Sequence, residues 1–123
     1  MRQGLIFAGL GAVLWLAVAL LLRGFVAAEL TAGPWRWFLY ALAGPAGLLA
    51  LGMFRLAGAR RGQYFAAISL DTLVALMLDG LAMGWARGLY GTDPARIADA
   101  AGTILWGAGL GMLIALWADR RFV

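Results

Sequence analysis

The chain has 123 residues, of which 64% are hydrophobic and 13% charged, with a mean hydropathy of +0.88. Soluble domains run at about 45–50% apolar and about 25% charged, so too few polar side chains are present to wrap the apolar mass, and a water-soluble monomer is excluded. The lack of Cys and His removes thiol catalysis, disulfides, Cys/His zinc sites and imidazole acid–base chemistry. Ten basic residues, all Arg, against six acids give a net charge of +4. They are scattered at the edges of apolar runs, as bilayer anchors and topology signals are. No basic stripe exists that would track phosphates, so nucleic acid is not an expected partner. The Arg-only, Ala/Gly-heavy composition points to a GC-rich bacterial genome.

A span needs roughly 20 apolar residues, and four such runs are present. The first covers about 4–22, between Arg2 and Arg23. Val26-Ala27-Ala28 resembles a signal cleavage site, but a signal h-region is about 7–15 residues long and this run is long enough to cross. A connector with Glu29 ends at Gly33-Pro34. The second span is predicted at about 35–54, with Pro45 near its centre as a source of a kink. A tight basic turn follows with Arg55, Arg60 and Arg61. The third span is predicted at about 63–86. A loop through Tyr90, Gly91, Thr92, Asp93 and Pro94 then offers Thr92 or Asp93 as helix N-cap and Pro94 as first helical residue. The fourth crosses at about 101–118 and ends in Asp119-Arg120-Arg121. The expected fold is therefore all-α: a polytopic four-transmembrane-helix bundle, one domain over 1–123.

Four spans put both termini on one side. That side holds Arg2, Arg55, Arg60, Arg61, Arg120 and Arg121; the other holds Arg23, Arg36, Arg87 and Arg96. The positive-inside rule then favours cytoplasmic termini in a bacterial inner membrane. Trp35, Trp37, Trp85 and Trp117 fall at the two interfaces, as an aromatic belt requires. Gly11–Trp15 and Gly102–Trp106 share a short pattern, too brief to establish an internal repeat.

Asp71 and Asp79 are the most informative residues. Each lies about 6 Å from the centre of the third span at 1.5 Å per residue, and with Thr72 they fall within an arc of about 100°. An intramembrane Asp costs about 2.5–3.5 kcal/mol on the insertion scale, against about 0.3–0.6 gained per Leu, Ile, Phe or Val. The third span is thus a marginal inserter that leans on its neighbours. The polar stripe of Asp71, Thr72 and Asp79 reads in two ways: a proton or cation site, or polar pins between helices. The other spans offer little polarity at mid-depth, which favours the pins. Arg23 is the expected partner of Asp79, across an axial gap of about 9 Å at 1.5 Å per residue. Arg36 and Arg87 read as interfacial anchors.

Gly80, Gly84 and Gly88 recur every four residues, as do Gly107 and Gly111, and Gly4, Ala8 and Ala12. Such small-residue ridges predict close helix packing within the bundle, and secondarily a homodimer or a larger membrane complex. Trp15 and Trp106 sit at mid-span, where each indole N–H wants a partner: Asp71, Asp79 or a kinked backbone carbonyl. Packing opposite the glycines is the simpler role for both rings. No phosphate loop, nucleophile elbow, metal cluster or acid–base pair occurs, so neither an enzyme nor a cofactor is expected.

Leu14-Trp15, Arg23, Met77-Leu78-Asp79-Gly80-Leu81 and Leu105-Trp106-Gly107-Ala108-Gly109 together resemble a family of small bacterial four-span proteins of unknown function. The resemblance covers most of the chain and departs from it in the loop before Pro94, which is more aromatic in the family. It implies the four-helix architecture and marks Trp15, Arg23, Asp79 and Trp106 as family-like positions, without implying an activity. Small multidrug-resistance transporters have the same size but carry a carboxylate in their first span, which this chain lacks. Two functional classes follow from the sequence: a non-enzymatic accessory or scaffold protein, or a proton- or cation-coupled carrier using Asp71 and Asp79.

Overall fold

The computed structural model describes residues 2–27, 33–86, 88 and 93–121. These form four helices: α1 (Arg2–Ala27), α2 (Pro34–Leu56), α3 (Tyr64–Trp85) and α4 (Pro94–Arg121). All four are long and apolar enough to cross a membrane, the architecture of a multi-pass membrane bundle. Glu29, Arg87, Tyr90, Gly91 and Thr92 lie outside the described residues. Helix α1 runs past Arg23 to Ala27 instead of stopping at 22, since nothing between them breaks a helix. Helix α2 is continuous through Pro45.

The helix ends are built from identifiable hydrogen bonds. Asp93 Oδ1 accepts from the Ala95 N–H at 3.1 Å, so Asp93 is the N-cap and Pro94 the first helical residue. At the end of α2, the Ala59 N–H reaches the Phe54 carbonyl at 2.9 Å and the Gly58 N–H the Arg55 carbonyl at 3.1 Å. That is the bond pattern of a Schellman motif. It requires the left-handed residue at Gly58, whose φ is 103°. The apolar contact that accompanies the motif is present too, because Phe54 and Ala59 are buried in one cluster.

Packing does not follow chain order. Helix α1 lies against α3, α2 against α4, and α3 against α4, with α1 and α2 on the outside of this arrangement. One core gathers Phe7, Phe54, Ala59, Tyr64, Ala67, Ile68, Ala115 and Ala118 at the end of the bundle where the termini emerge. Phe54 is fully enclosed there, with the Phe7 ring edge-on to it at 5.5 Å. The second core, at the opposite end, contains Ala19, Val26, Ala82 and Ala100. All four helices enter the first core, whereas α2 contributes nothing to the second.

The close approaches between helices are not at the expected glycine ridges. A Cβ built on Gly80, Gly84, Gly88, Gly107 or Gly4 meets nothing within 4 Å. Gly111 faces α2 only through its Cα, 3.6 Å from a Cβ built on Gly47. The close approaches are at Gly11, Gly47 and Gly102, and of these Gly11 is the one set against a neighbouring backbone at 3.0 Å. At Gly11 a Cβ would stand 2.8 Å from Asp71 Oδ1 and 3.0 Å from Asp71 Cα. Spacing alone marks a ridge, and its direction around the helix decides whether it meets a neighbour; here α3 turns Gly80 and Gly84 outward.

A substitution pair tests this geometry. Gly11→Ala forces α1 from the α3 backbone and is expected to destabilise the protein by about 1–3 kcal/mol, the usual cost of overpacking. Gly84→Ala meets open space and is expected to be neutral or slightly stabilising, because Ala is the better helix former. Unfolding in detergent micelles, followed by helicity, measures both.

Candidate functional site

Each polar side chain expected to matter at mid-membrane can now be placed. Thr72 and Asp79 are buried on α3, with 7% of Asp79 exposed, and Asp71 is half-buried. The stripe thus faces protein, as the cost of a carboxylate in hydrocarbon demands. Its members have different surroundings.

Asp79 meets Trp15. The indole Nε1–H of Trp15 on α1 donates to Asp79 Oδ1 at 2.7 Å. Burying an indole in hydrocarbon leaves an N–H that only a protein acceptor can satisfy, and a hydrogen bond to a carboxylate is of the strong kind if the acid is ionised. This bond crosses the α1–α3 pair where the Arg23–Asp79 clasp is expected. Arg23 is exposed and forms no ion pair with Asp79 among the described residues. The reason is axial: Trp15 is eight residues, about 12 Å, closer to the centre of α1 than Arg23, and a guanidinium at a helix end is better solvated at the interface.

Asp71 lies against α1 at its narrowest approach. Its Oδ1 occupies the space that a Gly11 side chain would fill, and among the described residues it has no hydrogen bond or ion pair. Ser69, two residues before it, has a buried hydroxyl that is also unpartnered among the described residues. Asp71, Thr72 and Asp79 share α3 but do not converge on one point, and no group of three acidic side chains able to hold a metal occurs among the described residues.

The α2–α4 pair has its own polar ties. Trp106 Nε1–H donates to the Tyr40 carbonyl at 2.9 Å, using the second lone pair that a helical carbonyl has to offer. The two rings stack at 5.4 Å, 9° from parallel. Gly102 makes room for the phenol: a Cβ there would lie 3.2 Å from the Tyr40 hydroxyl. Trp106 is 47% exposed, so it is a hydrogen-bonded flank of α4 rather than a core filler. Nearer the helix ends, Arg36 Nη2 meets Asp99 Oδ1 at 2.6 Å. Arg36 is thus an ion-pair partner as well as an interfacial residue. An exposed pair of this kind contributes at most about 1 kcal/mol.

Two acids that sequence reasoning passed over carry long-range contacts: Asp99 and Asp119. Asp119, in the last turns of α4, accepts from the backbone N–H groups of Gly62 at 3.0 Å, Tyr64 at 3.1 Å and Phe65 at 2.8 Å. It caps α3 from another helix. The available signal was an absence: Gln63 at the start of the third span is a poor N-cap, so an outside acceptor was needed for the orphan N–H groups.

No family model, curated protein or solved structure matches the chain.

A double-mutant cycle on Trp15→Phe and Asp79→Leu is expected to give a coupling of about 1 kcal/mol, within the range for hydrogen bonds between membrane helices. Arg23→Leu is expected to leave unfolding in detergent unchanged. Additive single mutants would show that the Trp15–Asp79 bond does not hold α1 to α3.

Proposed function

We propose that this chain is a small non-enzymatic scaffold or accessory protein of a bacterial inner membrane, with both termini cytoplasmic, that acts by presenting its apolar faces to itself or to a larger membrane complex. One observation carries the reading. Polar groups of the bundle are engaged between helices: Trp15 with Asp79, Trp106 with the Tyr40 carbonyl, Arg36 with Asp99, and Asp119 with the start of α3. A pathway for a solute needs polar groups lining a continuous route, and these are occupied in holding helices together. The resemblance to four-span proteins of unknown function belongs to the same proposal. So does the inward placing of the termini, which rests on the excess of arginine at their end.

One specific observation favours a second reading, a proton- or cation-coupled carrier: Asp71 is an intramembrane carboxyl without a partner among the described residues. Flux measurements separate the two. Protein reconstituted in vesicles with an imposed pH or sodium gradient is expected to dissipate it no faster than empty vesicles. Flux that disappears in Asp71→Asn would replace the scaffold reading with the carrier. Reporter fusions after residue 121 and within 89–96 test the orientation. Cytoplasmic activity is expected from the first and periplasmic activity from the second, and a periplasmic C-terminus would overturn the placement.

A further inference from the structure

Asp71 differs from every other acid placed in the bundle. Asp79 accepts the Trp15 N–H, Asp99 meets Arg36, and Asp93 and Asp119 cap helices, whereas Asp71 has neither a hydrogen bond nor an ion pair among the described residues. It is half-buried, and its carboxyl is not sealed in, since the enclosed side-chain atom without a partner among the described residues is Ser69 Oγ. The carboxyl therefore opens outward at the α1–α3 seam. It is also held in place there, with its Cα 3.0 Å from a Cβ built on Gly11. An intramembrane acid of this kind calls for a partner, and the chain has no cation to give it. No Lys is present, and no Arg stands between Arg2 and Arg23, between Arg36 and Arg55, within Tyr64–Trp85, or between Arg96 and Arg120. Arg2 is nine residues, about 13 Å, along α1 from Gly11.

We propose that Asp71 is the docking point for a transmembrane helix of another polypeptide, one that carries Lys or Arg inside its span. This rests on the scaffold reading above and names the chemistry of the partner. Depth excludes the simpler cations. Asp71 lies about 6 Å from the span centre, hence about 9 Å beneath the surface of a hydrocarbon core about 30 Å thick, out of reach of a lipid headgroup amine. A second copy of this chain has the same arginines, all near the helix ends, and brings no cation to that level. A basic side chain on a foreign helix does, and in hydrocarbon it needs a carboxyl as much as Asp71 needs a cation. The α1–α3 pair already joins helices in this way, through Trp15 and Asp79.

The test uses the full chain with a donor dye at its C-terminus, in phosphatidylcholine vesicles, and synthetic spanning peptides of a Leu/Ala host with an acceptor dye. One peptide carries Lys three residues from the middle of its span. The others carry Leu or Glu at that place, or Lys only at the end of the span. Energy transfer measures association. The mid-span Lys peptide is expected to associate about tenfold more tightly than the Leu peptide, the size of the stronger polar contacts between membrane helices. The Glu and end-Lys peptides are expected to gain nothing over Leu. D71N is expected to abolish the Lys advantage and D71E to retain it. D79N, whose amide oxygen still accepts the Trp15 N–H, is expected to leave it in place. Equal association of the Lys and Leu peptides, or a Lys advantage that survives D71N, would overturn the proposal and leave the scaffold reading standing on apolar contact. Proton or sodium flux that is lost in D71N would remove both together. The peptide series is run on the unaltered chain, so it decides the question even if D71N does not fold.

Discussion

Between two helices in lipid, burying leucine against leucine gains little, because the acyl chains displaced are as apolar as the side chains that replace them. What lipid cannot supply is a hydrogen-bond partner or contact between backbones. The α1–α3 pair rests on both. Gly11 admits the α3 backbone at Asp71, and one turn further along α1 Trp15 bonds Asp79. Without this pair α3 would present two carboxyl groups to hydrocarbon, and the helix that touches both α1 and α4 would lose its place. The α2–α4 pair repeats the logic with different groups: Gly47 and Gly102 for approach, and Trp106 on the Tyr40 carbonyl for the bond.

At the helix ends the requirement is local. Every backbone N–H and C=O near the hydrocarbon must find a partner within the protein or at the interface. The α2 C-terminus satisfies its carbonyls within its own turn, through Gly58 and Ala59. Helix α3 lacks such a device and takes its cap from Asp119. A negative group at a helix N-terminus also complements the helix dipole, worth about 0.3–1 kcal/mol when exposed. The sharp turn and the borrowed cap both adjoin the core around the fully enclosed Phe54, where all four helices meet.

Much of the architecture was legible in the chain. Hydropathy alone located four spans, since lipid permits few alternatives to a helix of that length, and Asp93-Pro94 marked the start of α4. The polar character of the α3 stripe was legible for the same reason: a carboxylate in a span has to face protein. Partner choice was not. Arg23 is the obvious counter-charge to Asp79 on paper, but charge says nothing about depth, and Trp15 is the donor at the right level. Glycine spacing failed for a related reason. Periodicity gives a ridge but not the azimuth of its neighbour, so Gly80 and Gly84 face outward while the unmarked Gly11 forms the contact. Asp119 was invisible because its role depends on a backbone 54 to 57 residues away.

The pairing of α1 with α3, and of α2 with α4, constrains how the chain can be made. The bonds that fix these pairs join residues 64 and 63 positions apart, whereas consecutive α1 and α2 share little beyond the Phe7–Phe54 contact. During synthesis α1 and α2 enter the bilayer before either has its partner, and they must remain there as separate helices on their own hydropathy. Helix α3, which carries Asp71 and Asp79, follows with its partner α1 already in place. Assembly of this bundle therefore proceeds by later helices docking beside earlier ones, and the register of the whole is set only when α4 arrives with Asp119 in its last turns.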